Sequence, residues 1–110
     1  MRTLRFIVEG QLIKQDPKCD FSGLVPGSDG YLQASFRFSS EWSAMAKVAA
    51  FWSPLGREYE PQVLDEHYSC RIPAEALKRR TFKIQILGRD ADGKKLTTNK
   101  IEVTQNGGKT

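Results

Sequence analysis

The sequence predicts an all-β protein, a sandwich or small barrel of about eight short strands with one short helical turn. Three observations predict it. Apolar and polar residues alternate with period two through most of the chain, which places successive side chains on opposite faces of a sheet. Glycine, proline, aspartate and asparagine break that alternation at regular intervals. Only one stretch carries a convincing helical signal. With 110 residues, the chain suits one domain around one core, here assigned to residues 1–104, with a polar, glycine-rich tail over 105–110 read as disordered.

Leu4, Phe6 and Val8 alternate with Thr3, Arg5 and Ile7, and Glu9-Gly10 offers a tight turn into Leu12 and Ile13. Asp16-Pro17 ends that strand. The segment from Cys19 to Gly30 holds three turn dipeptides and reads as a long loop, a common kind of contact surface. In GYLQASFRFS, Leu32, Ala34, Phe36 and Phe38 point one way, while Tyr31, Gln33, Ser35 and Arg37 point the other. A short polar turn leads to Trp42. AKVAAFWS then reads as a strand apolar on both faces, with helix as a competitor over its alanine-rich start. Ser53-Pro54-Leu55-Gly56 turns the chain into REYEPQVL, where Pro61 cannot donate a ladder hydrogen bond and marks an edge or bulge. Tyr68, Cys70 and Ile72 alternate next. In PAEALKR, proline suits the first helical position, and Ala76 and Leu77 are placed to cover the core. Phe82, Ile84 and Ile86 begin a final hairpin through Asp90-Ala91-Asp92-Gly93. Its return strand changes parity between Leu96 and Ile101, which predicts a bulge or register change near Asn99.

The formal charge of +4 is mildly basic. Lys78, Arg79, Arg80 and Lys83 form the densest cluster, but acidic residues are interspersed and the clusters adjoin turns. That pattern reads as solvated edges and argues against a nucleic-acid surface. No apolar run has the length to span a bilayer, and the N-terminal segment lacks the apolar core of a signal peptide, so maturation in a cytoplasm is expected. Cys19 and Cys70 lack metal-ligand spacing. The sequence leaves a disulfide between them open, although a reducing compartment favours free thiols.

The residues needed for catalysis do not assemble at the sequence level. His67, the single histidine, follows two acidic residues at a strand start, with no nucleophile-elbow motif elsewhere. Asp90-Ala91-Asp92-Gly93 resembles part of a calcium loop, but the alignment puts Gly88 at the first carboxylate position and Asn99 at the last. Gly108-Lys109-Thr110 ends like a phosphate-binding loop, but the first glycine of that motif would fall on Val103. Glu58 and Glu60 share a strand face without any sign of the apolar pocket that acid catalysis requires. The sequence therefore predicts no enzyme, no cofactor and no metal. Binding candidates are the aromatics Tyr31, Trp42 and Tyr59, together with the Pro61 edge; Trp52 reads as core.

Five segments taken in order add a resemblance. FRFSSEW, AKVAAFW, RIPAEAL, FKIQILG and LTTNKIEV are similar to the elements of small phage and prophage proteins related to the N-terminal domain of baseplate upper proteins. That resemblance implies an immunoglobulin-like antiparallel β-sandwich serving as a structural or adaptor module in a phage tail or baseplate, in the virion, assembled in the bacterial cytoplasm. Its partners would be other tail or baseplate proteins or further copies of itself, not membrane. It implies no catalytic or cofactor residues. In longer relatives a helical or receptor-binding region follows; this sequence ends at Thr110. A carbohydrate-binding module that recognises host cell-wall sugars through exposed aromatics is the alternative.

Overall fold

A glycine at positive φ starts the fold. Gly10, at φ +57°, turns β1 (Arg2–Glu9) into β2 (Leu12–Gln15), an antiparallel hairpin with Glu9 opposite Leu12. Only glycine takes that backbone conformation without steric cost. The computed structural model describes residues 1–105 and shows nine strands in two packed sheets.

The first sheet has the order β2-β1-β3-β6, where β3 is Leu32–Phe38 and β6 is Ser69–Arg71. β3 lies on the far side of β1 and runs parallel to it, pairing Leu4 with Ala34 and Phe6 with Phe36. The expected sandwich is present, with this one parallel pairing inside it. Alternation alone does not reveal strand direction, because inward and outward parity is the same either way. The second sheet has the order β5-β4-β7-β8, built from Gln62–Val63, Ala46–Trp52, Thr81–Arg89 and Lys95–Thr97. β9 (Ile101–Thr104) continues along β7 beyond β8. Of the expected strand around Pro61 only the two-residue β5 forms, at the sheet edge.

The predicted register change lies between β8 and β9. There the Thr98 hydroxyl accepts the Ile86 N–H at 3.0 Å, and the Thr98 N–H donates to the Ile86 carbonyl at 3.1 Å. The side chain supplies the ladder bond that the interrupted strand cannot. The next residue ties the two sheets together: Asn99 Oδ1 accepts the Ile13 N–H at 2.8 Å, and its own N–H donates to the Gln11 carbonyl. Strand β2 would otherwise be an open edge.

Between the sheets, inward residues such as Leu4, Phe36, Ala49, Phe51, Ile84 and Ile86 form one core. Phe6 stacks on Phe36 with centroids 5.4 Å apart, and Phe38 continues the aromatic row to Trp42 at 5.4 Å. The Cys19–Gly30 loop closes one end of this core. Leu24 is buried in the core, and Phe21 meets Phe6 edge-on at 5.4 Å. Gly27 N–H donates to the carbonyl of Leu77 at 2.7 Å, at the end of α1 (Ala74–Leu77). A core end left open would expose apolar area worth about 25 cal/mol per Å². Pro73 directly precedes α1, and Ala76 and Leu77 are buried as expected.

The folded domain runs one residue further than the sequence predicts. Gln105 is fully buried, and its amide donates to the carbonyls of Leu77 and Arg79 at 3.1 and 2.9 Å. The rest of the expected tail, 106–110, lies outside the described residues.

Candidate functional site

Two of the four predicted contact residues are core residues. Trp42 is fully buried. A 3-10 turn over Ser40–Trp42 swings its indole inward, and Nε1–H donates to the Gly10 carbonyl at 2.8 Å. Ser39 completes this clasp: its Oγ accepts the Gly10 N–H at 3.0 Å and its hydroxyl donates to Glu41 at 2.6 Å. The indole fits because β7 carries Gly88 opposite it, where a Cβ would lie 2.7 Å from the Trp42 ring. Polar sequence neighbours suggested an exposed tryptophan, but the distant glycine provides its slot. Tyr59 is also buried, drawn in as its N–H donates to the Phe51 carbonyl at 2.8 Å. Tyr31 and Pro61 are exposed as expected. Tyr31 leads into β3 of the first sheet, and Pro61 adjoins β5 of the second, so the four residues form no common site or sugar-stacking platform.

Trp52 goes the other way. Alternation along β4 turns Ala49 and Phe51 inward, which puts Trp52 on the outer face of the second sheet. It is half-buried there, with the Lys100 ammonium 3.6 Å from its ring centroid.

The polar groups that chemistry would need are engaged in turns or exposed. His67 is solvent-facing, with Nε2 3.4 Å from the Glu66 carboxylate. Asp65 Oδ1 accepts the N–H groups of Ser69 and His67, and these bonds hold its carboxyl below the ordinary range. Asp90 Oδ1 likewise accepts from Asp92 and Lys94 in the hairpin turn. Among the described residues, no group of three or more His, Cys, Asp or Glu is placed to hold a metal. Both cysteines are free; Cys70 is buried, and that burial, followed by the charge of Asp65, pushes its thiol up to about 12.

An apolar surface emerges on the outer face of the second sheet. Ala46, Val48 and Leu87 line a shallow depression of about 300 Å³ together with Thr97, Arg89 and Lys95. Val48 pairs with Val63 on one side and Leu87 on the other, so three large aliphatic side chains stand side by side across β5, β4 and β7. Val63 is 78% exposed and Leu87 37%. Exposed apolar residues are unremarkable singly, but a contiguous row marks a surface that gains by being covered. The sequence carried the sign of it: AKVAAFW is apolar on both faces, whereas a sheet with one wet side alternates.

Lys47 faces inward at the end of this strand. Its Nζ donates to the Met45 carbonyl at 2.9 Å and lies 4.8 Å from the Tyr68 ring centroid and 5.2 Å from that of Phe38. The residue is buried, and desolvation lowers its pKa below the usual lysine value. Tyr68 adopts φ +60°, costly for an aromatic residue, and meets Phe38 edge-on at 5.3 Å. The strain is offset by Asp65, which receives the Tyr68 N–H on its carbonyl at 2.9 Å.

No protein-family model, curated protein or solved structure matches the chain. Among the described residues, no helix is long and apolar enough to cross a membrane.

Proposed function

We propose that this domain is a non-catalytic adaptor that works through protein–protein contacts, with the outer face of the second sheet as its contact surface. The observation that carries this reading is the aliphatic row Val63–Val48–Leu87, left uncovered beside a shallow depression. A stable specific contact buries about 1,600 Å² in total, and a sheet face of this kind supplies a flat apolar centre for one.

The assembly proposed for it is a phage tail or baseplate, in the virion. Support comes from the ordered motifs FRFSSEW, AKVAAFW, RIPAEAL, FKIQILG and LTTNKIEV. Several residues of these motifs have identifiable structural work, including Trp42 in its glycine slot and the Thr98-Asn99 pair at the strand switch. Mass spectrometry of purified phage particles from the encoding strain tests the assembly. The protein is expected in the particles, and a Leu87→Asp variant is expected to be lost from them while remaining folded. Absence of the wild-type protein from the particles would remove the phage reading.

A further inference from the structure

The contact face carries charge as well as apolar surface, and the arrangement of that charge points to the chemistry of its partner. Arg89 and Lys95 are direct cross-strand partners between β7 and β8. Like charges placed opposite each other weaken a sheet. Both side chains are exposed, both line the apolar depression, and neither makes an ion pair with a described residue. The nearest acidic residues in sequence are Asp90 and Asp92 in the adjoining turn; Asp90 commits Oδ1 to backbone N–H groups there. At the other end of the same face the charge is mixed: Lys83 lies opposite Glu102, and Trp52, with Lys100 on its ring, lies opposite Glu58. The unbalanced positive charge of this face thus sits at Arg89 and Lys95, beside the depression.

We infer that this face docks an acidic segment of a different protein, which places an apolar side chain in the depression over Val48 and Leu87 and carboxylates against Arg89 and Lys95. The inference rests on the adaptor reading above and specifies its partner. Charge decides among the occupants. A second copy of this chain, related by a two-fold axis through the depression, would bring Arg89 and Lys95 close to their own counterparts, an unfavourable match. A purely apolar partner would leave the two opposed cations partly desolvated and unpaired, which costs free energy. A partner carrying carboxylates relieves the repulsion and fills the depression together, and guanidinium–carboxylate bonds are among the stronger charge-assisted contacts.

Three blocked peptides of equal length test this by NMR titration of the intact protein: leucine alternating with glutamate, leucine alternating with lysine, and serine alternating with glutamate. Light scattering of the free protein accompanies the titration. The leucine–glutamate peptide is expected to bind at least about tenfold more tightly than either other peptide, with weaker binding at higher salt. Shifts should centre on the amides of Ala46, Val48, Leu87, Arg89 and Lys95. In the Arg89→Glu/Lys95→Glu variant the preference should invert toward the leucine–lysine peptide, a readout that general loss of fold does not produce. Equal binding of both leucine peptides would overturn the acidic partner but leave an apolar adaptor face standing. Equal binding of both glutamate peptides would reduce the site to nonspecific charge attraction and overturn the inference. Self-association through these amides, or no binding at all, would also overturn it; the Leu87→Asp incorporation experiment would still judge the adaptor reading separately.

Discussion

The side-chain oxygen of Asn99 accepts the backbone N–H of Ile13 at 2.8 Å, joining the strand switch of one sheet to the edge strand of the other. The amide is exposed overall but its acceptor is committed. Asn99→Ala should lower stability by about 1–3 kcal/mol, the cost of leaving a strand-edge donor unpaired. Asn99→Asp, which retains an acceptor in the same place, should recover most of that loss in urea unfolding. Equal losses for both variants would show that the bond contributes little.

Trp42 and Gly88 should behave as one packing unit. Gly88→Ala places a methyl 2.7 Å from the indole and 3.1 Å from Met45 Sδ. It should cost ~1–3 kcal/mol by overpacking. Trp42→Ala should cost about 3–5 kcal/mol, as removal of a fully buried large aromatic does. Thermal unfolding of the double variant provides the check. The combined loss should fall short of the sum, because the methyl added at position 88 loses its closest clashes once the indole is gone and keeps only the looser one with Met45 Sδ.

Lys47 gives the fold a distinctive pH dependence. Its folded-state pKa is lowered by desolvation. As pH rises from that lowered value toward the ordinary lysine value, the folded chain sheds this proton before the unfolded chain does. The unfolded state then binds more protons, so this group makes stability increase with pH across that window. Lys47→Met removes the titration while keeping the stem's bulk. The difference in stability between wild type and Lys47→Met should therefore shift toward the wild type as pH is raised from about 7 toward about 10, the ordinary lysine range. A difference that stays flat over that range would contradict the desolvated position of the ammonium.

The two thiols should separate cleanly. Cys70, buried and raised to about 12, should resist alkylation at a pH of about 8 in the folded protein, since the thiolate is the nucleophile. Cys19 is only partly buried and should react first. Equal rates under native conditions, followed by mass spectrometry, would mean that the β6 edge opens readily.

The alternating strands, the final hairpin and the register change near Asn99 were all legible in the sequence, because each is written in local parity or in turn residues. The parallel pairing of β1 with β3 was not, since it depends on where the chain re-enters the sheet after the Cys19–Gly30 loop. The two tryptophans exchanged their expected places for a related reason. Trp42 is buried by Gly88, far away in sequence, and Trp52 is turned outward because its neighbour Phe51 holds the inward position. The apolar outer face of the second sheet was half legible. The double-sided apolar pattern of AKVAAFW announced it, but Leu87, Arg89 and Lys95 joined it only through the register of β7 with its neighbours.

A photoreactive amino acid placed at Val63, with a control at Ser35 on the opposite sheet, tests the proposed contact face most directly when introduced into the protein in the encoding strain. Adducts would be identified by mass spectrometry in purified particles. The account predicts that Val63 crosslinks to one defined tail protein, that Leu87→Asp abolishes the adduct, and that Ser35 yields none. Crosslinking from Ser35 while Val63 stays silent would place the contact on the first sheet and contradict it.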